Sequence, residues 1–237
     1  MLDRLDLSRF TCYALDLRGT GDSDPTDDGH TFTQYVADVA AVVDTIGLER
    51  FTFVAHSMGA GVAYRFALDH GDRLTSMILA NPLSPHGTAH LTTEVVEAIN
   101  GLRGSDDGVR AIILGGFVTP PTDIGYLDQL VTDGVGWSDA SYLGMMDEMR
   151  RFEIGNRLAE ITCPTLITWA DGDTVIPFDG IVAAYTGIPN SSLEVWHGVG
   201  HDSIIEAPDR FAALVDRFVS EIAGTTPHAE GVGAIAR

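Results

Sequence analysis

The stretch "FTFVAHSMGAG", residues 51–61, decides how the rest of the chain is read. Phe51 to Ala55 form an apolar run, which is the pattern of a strand buried on both faces in a parallel sheet. The run stops at a Ser set among small residues, and an amphipathic segment then extends from Met58 to Asp69, with Gly71 as a stop. Ser57 therefore stands where a strand turns into a helix. One reading makes it a helix N-cap, a role Ser fills often. The other makes it a nucleophile on a strained strand–turn–helix elbow, which requires small residues two before and two after. Ala55 and Gly59 meet that requirement, so the pattern G-x-S-x-G holds except for Ala in place of the first Gly. Ala60 and Gly61 leave room for close helix packing.

The alternation seen around Ser57 repeats along the chain. Strand-like apolar runs occupy 10–17, 76–81, 164–170 and 192–197. Residues 33–46 place Tyr35, Val36, Val39, Val42 and Val43 on one helical stripe, and Gly47 ends it. Residues 208–223 place Phe211, Leu214, Val215 and Phe218 at the same spacing, with Pro208 at the start. Strand and helix in turn predict an α/β fold: a mostly parallel sheet with helices on both faces and right-handed crossovers. Residues 83–158 break the rhythm with helical patterns at 92–101, 106–114, 123–133 and 139–153 and no good strand, and read as a helical cap. The domain reading is core at 1–82, cap at 83–158, core again at 159–223, and a tail at 224–237. That tail has little bulky apolar content and is expected to fray. No internal repeat is visible.

A Ser hydroxyl is a weak nucleophile unless a base takes its proton and a carboxylate orients the base. Both partners should lie downstream, just past strand ends, because ligands of open parallel sheets bind outside the carboxyl edge. "WADGDTVIP" (169–177) offers Asp171 and Asp173, and "WHGVGHDSIIEAPDRF" (196–211) offers His197 and His201. Asp-Gly-Asp is also good turn chemistry, and His197 ends an apolar strand as a packed or edge imidazole would. His30, His70, His86, His90 and His228 are dispersed and carry no partner signal.

With Ser, Asp and His in that order, the chain resembles the α/β-hydrolases, the broad family of esterases, lactonases, perhydrolases and C–C bond hydrolases. The resemblance runs from about residue 10 to residue 220 and rests on four segments: "DLRGTGDSD" (16–24), "AHSMGAG" (55–61), "ITCPTLITWADGDTVIP" (161–177) and "VGHDSIIEAPDRF" (199–211). It implies Asp173, four residues before Pro177, as the acid, and His201, followed by Glu206 and Pro208, as the base. The expected triad is thus Ser57, His201 and Asp173. A Ser at the elbow, where related dehalogenases and epoxide hydrolases have Asp, implies acyl transfer on an ester, lactone, thioester or activated ketone. The backbone N–H of Met58, at the positive end of the following helix, is the expected oxyanion donor.

The family's second oxyanion donor comes from a loop with an HG-type motif after its third strand, and no such motif stands upstream of Ser57. The chain therefore reads as N-terminally truncated, with a start codon set too far downstream. Without a central strand, runs 10–17 and 51–55 are expected to leave ladder groups unpaired or to pair directly. A truncated, non-catalytic binding or scaffold protein is the competing reading, and C–C bond hydrolase or perhydrolase activity at the same residues is a further alternative.

Composition excludes several classes. The 237 residues carry 34 acidic and 14 basic side chains, a net charge of −20, and every basic residue is Arg. Such a surface repels nucleic acid and anionic lipid. The absence of Lys fits either a high-GC genome or a salty cytoplasm. No apolar run is long enough to span a bilayer, and "MLDRLDLSRF" has no signal-peptide pattern, so the expected location is cytoplasmic. Cys12 and Cys163 sit in apolar patterns as buried thiols, and no metal or cofactor spacing is present. The expected partner is a small acyl substrate. Met145, Met146 and Met149 read either as helix packing or as a flexible apolar lining for it, and "GGFVTPP" (115–121) as a turn between cap helices.

Overall fold

A computed structural model describes residues 2–225 and 233–236. The elements in chain order are β1 (Thr11–Tyr13), α1 (Phe32–Thr45), β2 (Phe51–His56), α2 (Gly59–His70), β3 (Leu74–Ala80), α3 (Thr93–Leu102), α4 (Asp106–Leu114), α5 (Ile124–Val135) and α6 (Asp139–Arg151). There follow β4 (Thr165–Ala170), α7 (Phe178–Gly187), β5 (Ser191–Trp196), α8 (Ser203–Glu206), α9 (Pro208–Thr225) and β6 (Gly233–Ala236). The sheet order is β1-β6-β2-β3-β4-β5. Every neighbouring pair runs parallel.

Alternation along the central strands splits the core between the two faces. In β2, Phe53 and Ala55 join a cluster with Tyr35, Val39 and Val43 of α1 and Ala63, Tyr64 and Phe66 of α2, while Val54 points the other way. Ile78 and Ala80 of β3, Leu166 and Ala170 of β4 and Trp196 of β5 join Val54 under Phe211, Leu214, Val215 and Phe218 of α9. These strands are apolar on consecutive residues because each side is roofed by helix. Gly61 lets α1 and α2 meet: a Cβ there would lie 2.4 Å from the Phe32 ring.

Helix starts follow side-chain chemistry. Thr31, Thr92, Ser105, Asp123 and Ser138 each accept a hydrogen bond from the backbone N–H three residues on, opening α1, α3, α4, α5 and α6. Helices α3 to α6 succeed one another between β3 and β4 with no strand among them. A small cluster of Val96, Tyr142 and Met145, with Ile99, Trp137 and Met146 against it, packs on Met58 at the elbow.

Two expectations need correction, and the tail reading at 224–237 lies mostly outside the described residues. Of that tail, Gly233–Ala236 forms β6, which lies between β1 and β2. The neighbours β1 and β2 therefore neither pair with each other nor face an empty slot there. Their ladder groups need partners, and backbone hydrogen bonding asks little of side-chain bulk. Second, the 10–17 run is strand only over Thr11–Tyr13. Helix α7 has no counterpart among the helical patterns read from the sequence, because Ile181 and Ala184 are buried on one side while Phe178, Val182 and Tyr185 stand exposed on the other. An outward apolar face hides the helical period.

Candidate active site

Ser57 closes the carboxyl end of β2 with φ at +51°, one of two non-Gly residues with positive φ among those described. A side chain in this region is strained, and such strain clusters at functional sites. The elbow reading is thereby separated from the N-cap reading. Met58, not Ser57, occupies the N-cap position of α2, and no side chain caps it. The Ser57 hydroxyl is turned toward another loop, where it donates to His201 Nε2 at 2.8 Å.

His201 lies in the turn after β5 and is 7% exposed. Its Nδ1–H donates to Asp173 Oδ2 at 2.8 Å. Asp173 follows β4, and its side chain is fully buried. The carboxylate is saturated: Oδ1 accepts from the Val175 and Ile176 N–H groups at 2.7 and 2.9 Å, and Oδ2 also accepts from Asn81 Nδ2 at 2.7 Å. Burial works to raise the Asp173 carboxyl, but the His201 hydrogen bond and charge, the Ile176 N–H and the Asn81 amide outweigh it and leave it lowered. An ionised carboxylate only accepts, so it fixes the proton on His201 Nδ1 and leaves Nε2 free to accept from Ser57.

The rival candidates find each other instead. His197 Nδ1 bonds Asp171 Oδ2 at 2.8 Å, and Asp171 Oδ1 accepts from Gly198 N–H at 2.8 Å. The His197 side chain is 83% exposed, so this pair ties the β4 and β5 loops together at the surface, apart from Ser57. Of the dispersed histidines, His30 is buried and bonds Thr26 O and Ser141, holding α6 to the loop before α1. Met145 packs in the cluster over Met58, Met149 belongs to the main core, and Met146 touches both.

Sequence reasoning passed over two neighbours. His56, inside the elbow motif, packs its ring 4.8 Å from that of His201 and bonds the His201 carbonyl through Nε2 at 2.9 Å. Its burial, then the charge of His201, push the His56 imidazole down to about 3, so it is neutral and Nε2–H donates. Glu206, noted only as part of a motif, accepts from Gly200 N–H at 2.7 Å, Val118 N–H at 3.1 Å and Thr119 N–H at 2.9 Å. With Asp202 N–H on Gly116 O at 3.1 Å, it seats the "GGFVTPP" turn, which links α4 to α5, against the loop bearing His201. The Asp202 carboxyl is raised, chiefly by burial.

A cleft of about 290 Å³ lies elsewhere, lined by Gly19 to Ser23, Pro25 and Thr132, Asp133 and Gly136 of α5 and the turn after it. Among the described residues no helix is long and apolar enough to cross a membrane, and no group of three His, Cys, Asp or Glu residues could hold a metal ion.

Comparison with known proteins agrees with this architecture. Among solved structures, an esterase from Exiguobacterium antarcticum superposes with a TM-score of 0.77 at 24% identity, covering 86% of this chain and 80% of the esterase. A bromoperoxidase from Bacillus anthracis superposes with a TM-score of 0.77 at 21% identity, with the same coverage. In sequence, the chain is 32% identical over 193 residues to a 2-hydroxy-6-oxononadienedioate/2-hydroxy-6-oxononatrienedioate hydrolase of Pseudomonas putida, covering 75% of this chain and 65% of that protein. The family model described as "Alpha/beta hydrolase family" matches residues 2–214, and the chain belongs to that family.

Proposed function

We propose that the chain is a serine hydrolase of small or medium carboxylic esters, lactones or related acyl compounds. The observation that carries this reading is the unbroken hydrogen-bond chain from Ser57 Oγ through His201 to Asp173, 2.8 Å at each step, starting from a Ser at positive φ. Ser57 attacks the acyl carbon while His201 Nε2 takes its proton. His201 then gives that proton to the leaving alkoxide, and water, deprotonated by the same nitrogen, releases the acid from the acyl-enzyme. Asp173 holds the tautomer and offsets the imidazolium charge. The Met58 N–H, at the start of α2, faces the developing oxyanion. Helices α3 to α6 act as the lid, and the cluster around Tyr142 and Met145 forms its inner side.

A fluorophosphonate probe tests the nucleophile directly. Covalent labelling of Ser57, with p-nitrophenyl ester hydrolysis lost in Ser57→Ala, is the expected result. Folded protein that takes no label would instead support a non-catalytic binding role. The likeness to the Pseudomonas hydrolase favours one second reading, attack on the ketone of a 2-hydroxy-6-oxo dienoate at the same Ser. Comparing turnover of such a dienoate with that of the esters separates the two.

A further inference from the structure

The turn that ends β3, Ala80 to Leu83, touches Ser57 and Asp173 and the segment that carries His201. Its backbone grips the elbow on both sides: Ser57 N–H donates to Ala80 O at 3.1 Å, and Leu83 N–H donates to Ser57 O at 3.0 Å. The side chain of Asn81 reaches Asp173 and Ser203. Its Nδ2 donates to Asp173 Oδ2 at 2.7 Å, the same oxygen that receives His201 Nδ1–H. Its Oδ1 accepts from Ser203 Oγ at 2.8 Å, and Ser203 lies two residues beyond His201. The amide orientation is dictated by its partners, since a carboxylate can only accept and the Ser203 hydroxyl has a proton to give.

Three features show that this arrangement is held against a cost. Asn81 is fully buried, and Ser203 nearly so. Asn81 also has φ at +44°, the second positive non-Gly value beside Ser57 itself. Its own N–H is fixed on Thr168 O of β4 at 2.9 Å. A buried amide whose side-chain oxygen and nitrogen both have partners, on a strained backbone, specifies one geometry rather than simply filling space.

We propose that Asn81 is the positioning residue of this site. Its amide fixes Asp173 Oδ2 in line with His201 Nδ1 and, through Ser203, fixes the segment that carries His201 relative to that carboxylate. The role rests on reading Ser57 as the nucleophile, because positioning matters only if His201 must take its proton. Asn81 touches no reacting atom; it acts through Asp173. Asp173 would keep its Val175 and Ile176 hydrogen bonds without Asn81, so the carboxylate would stay in place but lose its lateral restraint.

The test uses Asn81→Gly, which removes the amide and tolerates the positive φ, with the melting temperature taken alongside to show that the variant folds. Ser203→Ala removes only the bond that orients the amide. Two readouts are taken: the fluorophosphonate labelling rate, and the low-field proton resonance of His201 Nδ1–H in ¹⁵N-histidine-labelled protein. Asn81→Gly should slow labelling by about 10- to 100-fold, the scale on which misplacement of a catalytic group acts. The low-field resonance should broaden away. Ser203→Ala should slow labelling by about 3- to 10-fold in the same direction.

Labelling of Asn81→Gly within twofold of the parent, with the resonance intact, overturns the proposal. So does a lowered melting temperature with an unchanged labelling rate and resonance, which marks Asn81 as structural support alone. If the parent protein takes no label, the hydrolase reading fails; the resonance still decides whether Asn81 holds the carboxylate, its survival in Asn81→Gly refuting the role.

Discussion

His56 makes the stability of this protein depend on pH in a way that can be calculated. Its burial against His201 drives the imidazole from its ordinary 6.5 to about 3. A neutral folded-state imidazole means that, between those values, the unfolded chain binds a proton which the folded chain does not. Stability from this group is complete above about pH 6.5 and is lost as pH falls toward 3, at about 1.4 kcal/mol per unit. From pH 7.5 to 5.0 the loss is about 2 kcal/mol, from 1.4 kcal/mol multiplied by the roughly 1.5 units below the unfolded value. For 237 residues, this corresponds to a melting temperature lower by about 4 °C. Asp173 does not contribute in this window, since its lowered carboxyl adds stability that is lost only as pH falls below the ordinary 3.8. Asp202, held above 3.8 by burial, has the opposite sign and gains stability on acidification. His56→Gln keeps an N–H donor for the His201 carbonyl and removes the titration. Urea unfolding followed by circular dichroism at pH 7.5 and 5.0 gives the difference between parent and variant, in which the terms common to both cancel. The parent should lose about 2 kcal/mol more than His56→Gln over this range. Equal losses in the two proteins would refute the argument.

Three further outcomes follow from the site. Asp173→Asn should reduce labelling and esterase rates on the order of 10³- to 10⁴-fold, since the amide no longer selects the His201 tautomer, whereas Asp171→Asn should stay within about twofold because its His197 partner is at the surface. Side-by-side rates of the two variants check this. Ser57→Gly should abolish labelling yet raise stability by about 1 kcal/mol in denaturant titration, because Gly accepts the positive φ at the elbow. Glu206→Ala strips three backbone N–H groups of their acceptor and should destabilise by about 2–3 kcal/mol; hydrogen exchange should quicken at Gly200, Val118 and Thr119 while the β2 and β3 amides stay protected.

Much of this molecule is readable from local chemistry. Apolar runs mark β2 to β4 because strands buried on two faces need them. The four helices of 93–151 announce themselves by capping Ser, Thr and Asp residues followed by a periodic stripe. The Ser57 elbow and the order Ser, Asp, His are equally local, and so the residues that meet at 2.8 Å can be named beforehand. Features set by distant partners cannot. Asp171 and Asp173 are alike in sequence, and only the spacing of a resemblance separates them. In the folded chain the two differ because one faces His197 at the surface and the other faces His201 in the interior. Asn81 looks like the polar end of a strand until β3 is laid between β2 and β4, which brings its amide to Asp173 and Ser203. β6 pairs through its backbone, so its sequence carries little warning of its place between β1 and β2. The sequence by itself determined which side chains can do chemistry and on which elements they lie. The tertiary structure decided which of them face one another, because hydrogen bonds across 92 to 144 residues of chain exist only once the sheet order is set.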